Sequence, residues 1–200
     1  MSPIRLRHRV HLVDPKAHLI EVETTVVPAA GHETLPPTLT LFMAVWTPGS
    51  YLVREYSRHV EGLEADGGSS CTKIRKNAWL VRPRDPQSAV VRYRVYANDL
   101  TVRTNHVDET HLYLNGACTF LAVEGAEDAA AEITFVVPDT YRAATSLPPV
   151  PGRPLTFVAK DFDTLVDCPI ELGEFRETSF VTQAGVAHRF AVWPPDAITE

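Results

Sequence analysis

Apolar and polar residues alternate from the start of the chain. In "IRLRHRVHLV", Ile4, Leu6, His8, Val10 and Leu12 share one face, while Arg5, Arg7, Arg9 and His11 share the other. A period of two sends successive side chains to opposite faces of an extended chain, so the stretch predicts a half-buried strand. Asp14-Pro15-Lys16 supplies turn chemistry, and "AHLIEVETTVV" then alternates again, with Leu19 or Ile20, Val22 and Val26 apolar; the pair predicts a hairpin. "TLTLFMAVW" is more uniformly apolar and predicts a more buried strand. Further strands are predicted at 72–81, 89–97, 119–123, 131–137, 155–159, 174–181 and 188–193. Asp66-Gly67-Gly68, Pro138-Asp139 and Ala184-Gly185 punctuate them. Many short strands separated by turn residues predict a mainly β domain, an antiparallel or mixed sandwich-like fold with one or two short helices.

The alternation breaks at Thr47-Pro48-Gly49. Proline presets φ for the first central position of a type II turn and glycine supplies the positive φ at the second, so a sharp reversal is predicted there. Leu52, Tyr56 and Val60 then recur at helical spacing and predict about two turns of helix over 51–59. A second short helix is predicted at 162–166, with Asp161 as its cap. The surrounding "DFDTLVDCPIE" does not fit a calcium loop, because Val166 stands where glycine is needed.

Charge and composition narrow the function. An apolar fraction of 44% supports a real core, and the net charge of −6 comes without a basic stripe, which argues against nucleic acid. No apolar run is long enough for a membrane span, and the first residues lack the apolar segment of a signal peptide. Three cysteines far apart, Cys71, Cys118 and Cys168, fit neither a disulfide framework nor a zinc knuckle, so a cytoplasmic setting is expected. None of the eight histidines falls in an HxH, HxxxH or HExxH pattern. "NHVDETH" offers His106, Asp108, Glu109 and His111 on a loop whose geometry the sequence leaves open, so no metal is assigned to this chain. There is no GxSxG, no phosphate loop and no histidine at a recognisable spacing from Cys118. The residues read as a β domain without catalytic machinery of its own.

Three phrases together resemble one family. "LTLFMAVWTPGSYLVREYSRHVEGLEA", "LYLNGACTFL" and "DFDTLVDCPIELGEF", in this order, resemble the N-terminal β domain of the glycyl aminopeptidases. These are gluzincin-type zinc metallopeptidases, often with a PDZ domain. The resemblance implies a twisted, saddle-shaped β domain over residues 1–185, with 186–200 as a last strand leading to a catalytic domain beyond Glu200. It implies zinc in that further domain, on an HExxH helix, and no cofactor in this chain. It implies release of N-terminal glycine, or alanine, from a peptide substrate by the longer enzyme. This chain's partners are then its own catalytic domain and the peptide.

Site candidates follow from that expectation. Asn-Gly is a tight-turn dipeptide between apolar runs, and turns at sheet ends are where sites are built. Asn115, Gly116 and Tyr113 are therefore cleft candidates, with Asp108 and Glu109 adding charge for a substrate ammonium. Tyr51, Arg54 and Glu55 are candidates for the interface with the catalytic domain. The rival reading is a stand-alone β-sandwich that binds a carbohydrate or a protein. It calls for exposed tryptophans, whereas Trp46, Trp79 and Trp193 all sit in strand-like runs and are expected to be buried.

Overall fold

Each alternating segment forms a strand where its apolar face meets another layer. The computed structural model describes residues 2–47, 50 and 52–197. β1 (Ile4–Asp14), β2 (Leu19–Pro28) and β3 (Leu39–Phe42) precede a single 3₁₀ turn, Tyr56–His59. Then come β4 (Val60–Ala65), β5 (Ser70–Arg75), β6 (Ala78–Arg82), β7 (Ala89–Tyr96), β8 (His106–Val107) and β9 (His111–Leu114). Helix α1 (Gly116–Thr119) is followed by β10 (Ala122–Val123), β11 (Ala131–Val136), β12 (Arg142–Thr145) and β13 (Thr156–Ala159). Helix α2 (Phe162–Asp167), β14 (Ile170–Gly173), β15 (Arg176–Val181) and β16 (Ala187–Val192) complete the described order.

The strands form a six-stranded sheet in the order β13-β11-β1-β2-β7-β4 and two four-stranded sheets, β10-β3-β6-β5 and β12-β14-β9-β8. β15 and β16 pair as a separate hairpin. β1 runs parallel to β11 and antiparallel to β2. Ile4, Leu6, Val10, Ile20, Val22, Val91 and Tyr93 from the large sheet share one core with Leu39, Leu41, Trp79, Val81, Leu112, Leu114, Ile170 and Leu172 from the two smaller sheets. Each such aliphatic side chain contributes roughly 1.5–3 kcal/mol through burial. Arg5, Arg7 and Arg9 face solvent, as the alternation requires. On the same outer surface Arg92 bridges Glu23, at 2.7 Å, and Asp66.

The β1–β2 turn forms as expected, with the Ala17 amide donating to Asp14 Oδ1 at 3.0 Å. α2 forms where its cap predicts, the Thr164 amide donating to Asp161 Oδ1 at 2.7 Å. Other expectations need correction. The helix at 51–59 shrinks to the 3₁₀ turn at 56–59, and Leu52 and Val53 lie in solvent, so helical spacing there is not a buried face. The predicted strand at 72–81 is the β5–β6 hairpin, folded back at Lys76-Asn77. The predicted strand at 119–123 begins only at Ala122, because α1 occupies Gly116–Thr119. Trp79 is buried, but Trp46 is 47% exposed: the apolar run that contains it leaves the sheet after Phe42.

Candidate functional site

Ser50 follows the reversal after β3, and its amide donates to the Thr47 carbonyl at 3.0 Å, the bond a tight turn makes. Pro48, Gly49 and Tyr51 lie outside the described residues. The Arg54 amide holds the Val45 carbonyl at 2.7 Å, and its guanidinium reaches Ser50 Oγ at 3.4 Å. One edge of a groove is thus fixed by backbone.

α1 fixes the opposite edge. Asn115 caps it, its Oδ1 accepting from the Ala117 amide at 3.0 Å while its Nδ2 donates to the Val102 carbonyl at 3.3 Å. Asn105, buried, clips the base: its Oδ1 accepts from the Asn115 amide at 2.8 Å and its Nδ2 donates to Thr119 Oγ1 at 3.0 Å. Gly116 lets α2 approach. A Cβ there would lie 2.4 Å from the Leu165 carbonyl oxygen. The glycine of "NGAC" therefore serves close packing at a helix start, and the expected Asn-Gly tight turn is corrected to a capped helix.

These contacts bring five short segments around one concavity. Thr47 and Ser50 come from the turn, Val102 and Arg103 from the loop before β8, and Tyr113 and Asn115 from the end of β9; Val166 and Asp167 come from α2, and Pro169 from just beyond it. Each of the three family-like phrases contributes to it. Apolar side chains of these segments stand in solvent: Trp46, Leu52 at 62% exposure, Val53 and Val102 at 74%. The lining is mixed: Val102, Val166 and Pro169 are apolar, Thr47, Ser50, Tyr113 and Asn115 are polar, and Arg103 and Asp167 are charged.

A second polar cluster sits on the adjoining sheet. Tyr113 pairs with His106 on β8 and with Glu171 on β14, so the three lie in one row across the strands. Asp108 closes the β8–β9 turn, its Oδ1 accepting from the Thr110 amide at 2.7 Å and the His111 amide at 3.1 Å. His106 Nε2 is 3.1 Å from Asp108 Oδ2. Burial works to raise the Asp108 pKa, but the bonds from Thr110, His106 and the His111 amide outweigh it and hold the carboxyl well below its usual range. Burial, with the Asp108 charge second, pushes Glu171 up to about 8. Burial also lowers His111, against the opposing pull of Asp108. Trp193 stacks on the His111 ring at 3.7 Å, and Gly173 leaves room behind it, since a Cβ there would meet His111 Cβ at 2.9 Å.

The structure thus sorts the expected residues. Tyr113 and Asn115 line the groove, and Arg54 stands at its edge through Ser50. Gly116 is buried beneath α2. Asp108 belongs to the histidine cluster, and Glu109 is exposed beside Lys16, 3.5 Å away. Glu55 pairs with Lys76 at 2.8 Å and does not line the groove. The stretch "NHVDETH", read as a loop, belongs to the β8–β9 hairpin, which α1 follows. Sequence reading missed Asp167 and Arg103 as groove residues, and Asn105 as the clip; no local pattern marks a single buried amide.

The family model of the peptidase M61 N-terminal domain matches residues 7–174. Among solved structures, an aminopeptidase N family protein from Idiomarina loihiensis aligns with a TM-score of 0.82 at 29% identity, over 93% of this chain and 32% of its own. The chain thus spans about a third of that protein. Aminopeptidase A from Legionella pneumophila aligns with a TM-score of 0.48 at 14% identity, over 96% of this chain and 24% of its own. An M1 zinc metallopeptidase from Deinococcus radiodurans aligns at 0.49 and 14%, over 94% of this chain and 46% of its own. No curated protein matches the chain at a significant level.

Proposed function

We propose, from the premise that this chain belongs to the peptidase M61 N-terminal domain family, that it is the non-catalytic wall of the substrate cleft in a zinc-dependent glycyl aminopeptidase. The observation that carries this reading is the meeting of all three family-like phrases at one groove, with solvent-exposed apolar side chains on the same segments. Exposed apolar side chains on the segments that build a concavity suit a domain interface bordering a cleft. Under this reading Trp46, Leu52, Val53 and Val102 pack on the zinc-bearing catalytic domain. The groove receives the substrate's first residue. Asn115 Oδ1, which keeps a lone pair beyond its bond to Ala117, and the Asp167 carboxylate accept from the α-ammonium, which sets the register of an exopeptidase. Excluding water from that contact strengthens it. Removal of N-terminal glycine or alanine is the activity of the longer enzyme, and its zinc chemistry belongs to the catalytic domain. A cytoplasmic setting fits the three free thiols.

The experiment uses the peptidase that carries this domain. Leu52→Asp combined with Val102→Asp is expected to lower kcat/KM by about tenfold or more, because small misplacements of a cleft wall are costly. The same pair in this chain alone leaves its melting temperature unchanged, since both side chains are in solvent. Undiminished kcat/KM in the double variant would overturn the reading. The exposure of Trp46 also favours the stand-alone binding module.

A further inference from the structure

We infer that the β8–β9 hairpin holds a divalent transition-metal ion, with His106, Asp108 and His111 as ligands and Glu171 as the acceptor that orients His111. The three side chains offer ligand atoms that all lie within 4.8 Å of one another. Metal–nitrogen and metal–oxygen bonds of about 2.0–2.2 Å in a tetrahedral shell put ligand atoms roughly 3.4 Å apart. His106 Nε2 and Asp108 Oδ2 are already 3.1 Å apart, and His111 Nδ1 and Asp108 Oδ1 are 3.5 Å apart. Only side-chain rotation is needed to converge them, because the hairpin sets the backbone.

Two further observations point to a ligand. A histidine that binds metal through one ring nitrogen donates its other N–H to a carboxylate or carbonyl. His111 Nδ1 lies 3.2 Å from Thr110 Oγ1 and 3.5 Å from Asp108 Oδ1, its Nε2 faces Glu171 Oε1 at 4.0 Å, and Trp193 stacked at 3.7 Å sets its ring plane. Glu171 Oε1 is buried without a hydrogen-bond partner, so it stands open to accept the Nε2–H of a His111 whose Nδ1 binds metal.

The donor set selects the ion. Two imidazoles suit zinc and its neighbours, whereas calcium and magnesium ask for shells of oxygen. The Asp108 carboxylate supplies the anionic ligand for a dication. His106 and Asp108 are only partly buried, which leaves an entry path and a fourth position for water. The ion's work is structural: it ties the ends of β8 and β9 together beside Tyr113 and Asn115.

The test uses this chain alone, stripped with a chelator and titrated with zinc chloride, with cobalt(II) as a spectroscopic probe. Stoichiometric zinc, a higher melting temperature in its presence and the visible bands of four-coordinate cobalt are expected. His106→Gln and Asp108→Asn should abolish all three while keeping the far-ultraviolet dichroism of the fold. Glu171→Gln should keep the stoichiometry and weaken affinity about 10- to 100-fold. A chain that takes up no zinc, or uptake indifferent to His106→Gln and Asp108→Asn, would overturn the site. Because the readout is metal held by this chain, it is independent of the cleft reading above.

Discussion

A methyl group on residue 116 would sit 2.4 Å from the Leu165 carbonyl oxygen and 3.0 Å from Val166 Cα. Both are backbone atoms, so neither can swing away as a flexible side chain would. Gly116→Ala must push α1 from α2 and open the groove that their contact builds. We expect a loss of about 1–3 kcal/mol, the range for overpacking a closely packed site. Urea unfolding of the variant checks this; an unchanged midpoint would mean that the two helices separate freely. The Asn115 and Asn105 amides act at the same scale. Their bonds are satisfied inside the chain, so an Asn115→Ala variant loses a helix cap as well as any contact with substrate.

At the scale of elements, the short helices depend on their caps more than on length. α2 has six residues, too few to be stable alone, and begins on the Asp161 carboxylate. Asp161→Ala should cost about 1 kcal/mol, as loss of an N-cap does, and Asp161→Asn should restore most of it. Thermal melts of both variants distinguish capping from bulk charge, since only the alanine leaves the Thr164 amide without its acceptor. This element was legible in the sequence because a cap and a following Cys-Pro are local signals. α1 was not, since four residues carry no periodicity and its start is defined by Asn105 from another segment. The β8–β9 hairpin escaped for a similar reason. Its turn is closed by the Asp108 side chain rather than by glycine.

For the whole molecule, His8 sets a pH dependence. It lies on the buried face of β1, its Nδ1 2.9 Å from Thr24 Oγ1 and its ring 4.9 Å from Phe120. Burial lowers its pKa from 6.5 to about 3. The unfolded chain therefore binds a proton near pH 6.5 that the folded chain refuses until about pH 3. Stability from this group is full above 6.5 and is lost as pH falls towards 3. Urea midpoints between pH 7 and pH 4 should fall less steeply for His8→Gln than for the native chain. Identical slopes would show that His8 titrates normally. Because His8 packs between the large sheet and the segment after α1, its protonation loosens the contact between layers, not only one strand.

The alternating strands β1, β2, β7, β11 and β16, the β1–β2 turn and the cap of α2 were determined by sequence alone, because each depends on neighbours a few residues away, whereas β4, β8, β9, β12 and β14 went unread. Period-two alternation needs only one buried face, and Ile4, Leu6, Val10, Val22 and Val26 all found one. The "WTPGS", "NGAC" and "DTLVDCPIE" phrases were legible as a family likeness, but their meeting was not. Tertiary structure decided that Gly116 admits α2, that Trp46 leaves the sheet for solvent, and that Asp167 rather than Glu109 borders the groove. It also decided that His106, Asp108 and His111 converge and that Glu171 stands behind them. The physical reason is that contacts such as Gly116 on Leu165 and His111 beside Glu171 join segments far apart in the chain, and their energies come from close approach and from polar groups removed from water, which no local pattern records.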